Sequence, residues 1–147
     1  MIIDGVFISA LWLQLFYIAF RDLTVWKISN ASNFSLAITY IVYRLTVGDA
    51  ASLISHGLLS VAMLLVLLFP FAKGWIGGGD AKFLVVAVLW VGPECAFVFS
   101  VVLTLCTLIY AAVSRYGIAP RVAEGARHRM PFGCPGAAAL GLTLLIC

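Results

Sequence analysis

Charged side chains are scarce in this sequence of 147 residues. Nine lysines and arginines and six acids make up 10% of the chain, whereas 64% of it is hydrophobic. A chain of this size could not bury so many apolar side chains inside a water-soluble globule. The mean hydropathy of +1.14 therefore indicates a protein of the lipid bilayer.

The sequence also lacks the patterns of a metal site or a nucleic-acid site. Its four cysteines form no C-x-x-C pair, and His56 and His128 stand singly in predicted loops on opposite sides of the membrane. We expect the cysteines to be small apolar packing residues. The basic residues are not spread along one face as nucleic-acid binding would need, so we interpret them as determinants of membrane topology.

Apolar runs separated by polar residues predict six helices. Their expected bounds are 2–20, 34–48, 53–72, 81–92, 95–113 and 132–147. No positive charge precedes the first run and no small-residue cleavage site follows it, so we expect it to remain as a membrane helix. No repeat or long linker divides the chain. Residues 1–147 are therefore expected to form one all-α domain, a bundle of about six transmembrane helices.

Basic residues predict the orientation of this bundle. With six crossings, only Arg44 lies on one side of the membrane, and the other eight basic residues share the opposite side. These eight are Arg21, Lys27, Lys73, Lys82, Arg115, Arg121, Arg127 and Arg129. That side is cytoplasmic by the positive-inside rule, so both termini are expected outside. A rival model with 81–92 as a re-entrant hairpin moves the arginines of the 114–131 loop outside and is less favoured. This basic loop is expected to meet anionic lipid head groups.

Topology separates the six acidic residues. Four of them fall where a charge is readily solvated, and these are Asp4, Asp49, Glu94 and Glu124. The other two, Asp22 at the end of the first helix and Asp80 at the start of the fourth, share the cytoplasmic depth. Packing of the bundle could bring their carboxyl groups face to face.

Two carboxyl groups at close range share one proton, because their mutual repulsion disfavours ionisation of both. Such a pair can hydrolyse a peptide bond, since one acid takes a proton from water while the other polarises the scissile carbonyl. A proton and a water suffice, so neither a metal nor an organic cofactor is implied. Local alternatives are that Asp80 is a helix N-cap and that Asp22 pairs with Arg21 or Lys27.

Three glycines precede Asp80 in the segment GWIGGGDAKF, residues 74–83. Gly77, Gly78 and Gly79 permit unusual backbone angles and leave no side chain in the path of a substrate backbone that approaches Asp80. Lys82 lies about 200° around the helix from Asp80, so it is expected to reach a lipid phosphate or to turn across the bundle.

This segment resembles the G-x-G-D-x-K motif of the type IV prepilin peptidases, which are membrane aspartic proteases. A second segment, RDLTVWKISN at residues 21–30, is similar to the first-aspartate motif of that family, D-x-x-x-x-x-I-P-N. It aligns Asp22, Ile28 and Asn30 with the family and has Ser29 where proline is usual. MPFG, residues 130–133, is similar to the P-[FY]-G segment that opens the last helix of the short members.

The resemblance implies an aspartic endopeptidase of the bacterial inner membrane, with Asp22 and Asp80 as catalytic residues and Lys82 and Asn30 in support. Longer members carry a cytoplasmic region with paired C-x-x-C motifs and methyltransferase activity. This chain resembles instead the peptidase-only branch that serves Flp/Tad pili. Its substrate would be a prepilin or pseudopilin whose basic leader is cut after a glycine at the cytoplasmic membrane surface.

Other readings of the same acids remain open. Presenilin-type proteins share G-x-G-D but carry their first aspartate within a helix, whereas Asp22 is expected to end one. A small transporter or proton-conducting bundle would use membrane acids as an ion relay. A structural subunit of a secretion assembly would need neither aspartate.

Overall fold

Helices dominate the computed structural model of this protein. It describes the backbone of residues 2–25, 28–116, 122–124, 127–129 and 132–147, and the side chains of 5–25, 28–116 and 132–147. Within these ranges the helices are α1 (Ile2–Val25), α2 (Asn30–Val47), α3 (Ala50–Ala72), α4 (Gly78–Arg115) and α5 (Gly133–Ile146). The strands are β1 (Val122–Glu124) and β2 (Arg127–Arg129). The predicted helical architecture is thus confirmed.

The segment that was expected to be a plain loop contains the two strands. They pair antiparallel, with Val122 opposite Arg129 and Glu124 opposite Arg127. The two strands lie within the predicted loop and leave the predicted helical architecture unchanged.

Two helix ends differ from the prediction in a way that affects the candidate site. α2 begins at Asn30 because the hydroxyl of Ser29 accepts a hydrogen bond from the Ser32 amide at 3.0 Å and caps the helix. α1 continues to Val25, since no proline or glycine stops it. Asp22 therefore lies inside the last turns of α1. The expectation that it ends the helix was wrong, and this contrast with presenilin-type proteins is lost.

α4 consists of two helical segments, 78–91 and 93–115, which meet at Gly92. Gly92 has φ 71° and ψ 176°, a conformation that residues with a side chain rarely adopt. Pro93 follows and has no amide hydrogen, so the helix cannot supply the usual donor to the Leu89 carbonyl. The ring Nδ1 of His56 lies 3.0 Å from that carbonyl oxygen and 2.7 Å from the Tyr40 hydroxyl. With a proton on Nδ1, His56 supplies the missing donor.

His56 is thus part of the helix packing and is only 4% exposed. The prediction that it stands in a loop was wrong, because α3 begins at Ala50 and its N-cap Asp49 precedes it. Asp49 accepts hydrogen bonds from Ser52, and it forms an ion pair with Arg44 at 2.9 Å. The hydrogen bonds from Ser52, followed by the charge of Arg44, lower the pKa of Asp49.

Contacts between helices show that successive segments alternate in direction. α1 contacts α2 through the pairs Phe7–Tyr43 and Gln14–Thr39, and it contacts α5 through Asp22–Gly133 and Trp12–Gly141. α4 contacts α2 through Asn33–Gly79 and Leu36–Trp90, and it contacts α3 through Phe71–Gly78 and His56–Leu89. The second segment of α4 starts beside the end of α5, where Cys95 is bonded to Cys147. Its residues Phe99, Val102 and Cys106 pack against the core, so it runs back along the bundle. One end of the bundle, here called the motif end, therefore holds Asp22, Asn30, Asp80 and Gly133. The opposite end, the Gly92 end, holds Asp49, Gly92 and Cys147.

Side chains are distributed as expected for a protein surrounded by lipid. Tyr40, Phe83 and Leu140 are fully buried between helices, while large apolar residues such as Phe16 and Phe97 face outward with 74% and 80% exposure. Within the described part of the chain, three helices could cross a membrane by length and composition: Gly5–Val25, Ala50–Ala72 and Gly78–Arg115. An unbroken helix of 38 residues would span about 57 Å, nearly twice a hydrocarbon core of about 30 Å. The break at Gly92 divides this length.

The cysteines correct a further expectation. Cys95 and Cys147 form a disulfide at the Gly92 end, with their Cα atoms 6.3 Å apart, so they are not merely packing residues. Cys106 and Cys134 are free and half-buried. Sequence spacing did not indicate the pair, because 52 residues separate its members.

We predict that Gly92→Ala destabilises the protein by roughly 2–3 kcal/mol, since alanine disfavours positive φ and its Cβ would overlap the His56 ring. Gly57→Ala is the matched control, because Gly57 lies in α3 with no atom within 4 Å of an added Cβ. It should raise helix stability by about 0.5–1 kcal/mol. The unfolding midpoint in detergent measures both effects. Equal midpoints for the two variants would contradict this account of the break.

Candidate active site

The glycine-rich turn before α4 positions Asp80 at the motif end. Gly77 is the N-cap residue, and Asp80 is the third residue of the helix, in its first turn. The interpretation of Asp80 as the N-cap was therefore wrong by three positions. Its carboxylate folds back over Gly77, where an added Cβ would lie 2.8 Å from Oδ2. The positive end of the helix dipole favours a negative charge at this position.

The three glycines of the turn are needed for space. None of them has a positive φ, in contrast to Gly74 at 70° in the same loop. An added Cβ at Gly78 would lie 3.3 Å from the Phe71 ring, and one at Gly79 would lie 3.1 Å from the Ile28 carbonyl oxygen. The expectation of unusual backbone angles was wrong at these positions. Their lack of side chains instead lets α3 and the α1–α2 connection pack against the turn.

The two predicted supporting residues meet across this packed region. Lys82 Nζ donates a hydrogen bond to Asn30 Oδ1 at 2.9 Å, and both residues are exposed. The side-chain amide of Asn33 donates to the Gly79 carbonyl at 3.3 Å. Lys82 therefore turns across the bundle, which was one of its two expected roles. These bonds tie the start of α2 to the turn that carries Asp80.

Asp22 is the other candidate acid, and it is only 3% exposed. Its Oδ2 accepts hydrogen bonds from the backbone amides of Gly133, at 2.6 Å, and Cys134, at 3.2 Å. Arg21 lies over the Tyr17 ring, with 6.0 Å between its Cζ and the ring centroid. Lys27, the other expected partner, lies outside the described residues. The first turn of α5 thus provides hydrogen-bond donors to Asp22 that the sequence did not predict. Backbone amides are not marked by residue type, so the glycine at position 133 is the one signal in the sequence.

The helices that carry the two acids meet through other helices. Among the described residues, no Cα atom of α1 comes within 8 Å of a Cα atom of α4. α5 contacts both helices: Gly133 packs on Asp22, and an added Cβ at Gly136 would lie 2.7 Å from Phe83 Cε1. Asp22 and Asp80 therefore share one end of the bundle, and their backbones are joined through the start of the last helix.

An open groove adjoins the Asp80 turn. Its volume is about 660 Å³, and it runs between α2, α3 and α4. Its polar residues are Asn30, Asn33 and Lys82, and its apolar walls include Phe34, Leu64, Val85 and Val86. An apolar chain could lie in this groove with its end near Asn30 and Lys82.

Comparison with known protein families identifies the family of the chain. The model of the type IV leader peptidase family matches residues 8–112, which is more than half of the chain. The chain belongs to the type IV leader peptidase family. The match covers Asp22 and Asp80 and ends before α5, and it confirms the resemblance found in the sequence. No curated protein matches this leader peptidase. No solved structure matches it either.

We predict that Gly79→Ala slows leader peptide cleavage roughly tenfold, because its Cβ would push the Ile28 carbonyl and the start of α2 away from the Asp80 turn. The initial rate of cleavage, at equal amounts of folded enzyme in detergent, is the measurement. Gly5→Ala, at a position with no atom within 4 Å, should keep the original rate. If Gly79→Ala matches Gly5→Ala, close packing at this turn does not support activity.

Proposed function

We propose that this leader peptidase is an aspartic endopeptidase that cleaves the leaders of type IV prepilins or pseudopilins of the Flp/Tad kind. Asp22 and Asp80 are its catalytic residues, and cleavage occurs at the cytoplasmic face of the bacterial inner membrane. The observation that carries the proposal is the position of the two motif acids. They lie far apart in the chain, yet both belong to the motif end, and Asp22 is buried there with its carboxylate held by two amides.

The chemistry requires only the two acids and a water molecule. One carboxylate takes a proton from the water while the oxygen of that water bonds to the scissile carbonyl carbon. The other acid donates a proton to the carbonyl oxygen. The carbon–nitrogen bond then breaks as the first acid returns its proton to the leaving amine. The acids regain their starting states when the second recovers a proton from the new carboxyl group. Substrate and water fill the space between Asp22 and Asp80 during this cycle.

We propose that the six helical segments cross the membrane with the motif end in the cytoplasm and both termini outside. Arg21, Lys73, Lys82 and Arg115 belong to the motif end, which supports this orientation under the positive-inside rule. The disulfide between Cys95 and Cys147 supports it independently, because disulfides persist on the oxidising side of a bacterial inner membrane.

The groove beside Asp80 suits the proposed class of substrate. Its apolar walls can accept the hydrophobic segment that follows a prepilin leader, while Lys82 and Asn30 stand at the polar mouth. A proton-conducting bundle has less support. An ion relay needs acids distributed through the membrane depth, and Asp22 is the one buried acid in the part of the chain with described side chains.

The catalytic pair is tested by Asp22→Asn and Asp80→Asn in cells that also produce a Flp-like prepilin. Each variant should accumulate in the membrane but lose cleavage by at least about 10³-fold, because an amide cannot take the proton from water. Asparagine keeps a side-chain oxygen that can accept hydrogen bonds, so the packing around Asp22 is retained. Shortening of the prepilin on a gel is the readout.

Asp49→Asn is the matched control for this experiment. It makes the same chemical change at the Gly92 end, and asparagine caps a helix about as well as aspartate. This variant should process the prepilin normally. Full processing by Asp22→Asn or Asp80→Asn would refute the catalytic pair.

The orientation can be tested with cysteines introduced at exposed positions on opposite ends, Ala51→Cys and Lys73→Cys. Cys106 and Cys134 are replaced by alanine in this background, and Cys95 and Cys147 remain bonded. A membrane-impermeant maleimide should label Ala51→Cys in intact spheroplasts and Lys73→Cys only after lysis. The opposite pattern would invert the proposed topology.

A further inference from the structure

The side chain of Asp22 is buried from water and accepts hydrogen bonds from two backbone amides. At 3% exposure, burial alone would favour a neutral acid over a charged one. Two backbone amides converge instead on a single oxygen, Oδ2, at 2.6 and 3.2 Å. Both amides open a helix, and the positive end of its dipole adds to their effect.

The approach of these amides depends on glycine. Gly133 is the first residue of α5, and an added Cβ would lie 2.9 Å from each of three Asp22 atoms: Cβ, Cγ and Oδ2. No residue with a side chain could bring its amide so close without displacing the carboxylate. The sequence therefore places its smallest residue where the last helix meets the acid.

α5 is held in place along its whole length. Gly136 packs on the Phe83 ring, Gly141 packs on the Trp12 ring, and Cys147 is bonded to Cys95 beyond its end. These contacts fix the first turn of α5 relative to both α1 and α4. The family match ends at residue 112, so this arrangement is contributed by a helix outside the matched region.

From these observations we infer that the Gly133 and Cys134 amides position the carboxyl group of Asp22 in the catalytic pair. This inference rests on the proposed function. Gly133 and Cys134 are positioning residues, since they act through Asp22.

The test compares Cys134→Pro with Cys134→Ala. Proline removes the amide hydrogen at this position, whereas alanine keeps it and also lacks the thiol. The helix itself loses no bond, because its first backbone bond runs from the Gly136 amide to the Phe132 carbonyl at 3.0 Å. Proline is tolerated in the first turn of a helix, and Pro135 already stands there.

We expect kcat of Cys134→Pro to be about tenfold below that of Cys134→Ala, with the same KM, as loss of one hydrogen bond to the reacting carboxyl group predicts. A merely structural role would lower the amount of folded enzyme and leave kcat per folded molecule unchanged. Equal kcat values for the two variants would overturn the inference.

Gly133→Ala provides a second measurement if proline at position 134 prevents accumulation. It keeps both amides but forces the carboxylate away, so kcat should fall about tenfold or more with little change in KM. An unchanged kcat in this variant would also overturn the inference. Failure of the proposed function is distinguishable from failure of this inference, because Asp22→Asn would remain active if the proposed function were wrong. An inactive Asp22→Asn, together with equal kcat values for the position-134 variants, would refute the positioning role alone.

Discussion

The hydrogen bonds from the first turn of α5 to Asp22 join the beginning of the bundle to its end. Through them a residue of the first helix is fixed by amides 111 and 112 positions later in the chain. α5 also packs on α4, so the same helix locates Asp22 relative to the segment that carries Asp80. The described parts of α1 and α4 do not approach each other directly, so the relation between the two acids is set by α5 together with α2.

Backbone hydrogen bonding also explains the other end of the molecule. In a bilayer an unsatisfied carbonyl is costly, so a helix that contains Pro93 needs another donor for the Leu89 oxygen. His56 lies where it can donate, and Gly92 allows the chain to turn back at that point. One long apolar run thereby becomes two segments, and the second returns toward the motif end. The fold depends on a polar side chain placed deep between apolar helices.

Much of this arrangement could be predicted because charge is so scarce. With only six acids in the chain, topology alone isolated Asp22 and Asp80, and the predicted helices 81–92 and 95–113 divided the longest apolar run near Gly92. The amides that hold Asp22 could not be predicted, because every residue but proline offers one. The Cys95–Cys147 bond and the partners of His56 were missed for a related reason. Each depends on contacts between distant segments, which local patterns do not specify.

Close packing through glycine explains how such a short helix can locate a member of the proposed catalytic pair. Lipid tails are as apolar as leucine, so helices in a membrane gain little from burying apolar surface and associate through tight contacts between small residues. α5 has 14 residues, and at Gly133, Gly136 and Gly141 an added Cβ would come within 3 Å of a neighbouring side chain. These contacts seat α5 directly against α1 and α4 at successive levels. Backbone packing between helices therefore fixes the positions of its first amides. These amides in turn fix the position of the Asp22 carboxyl group.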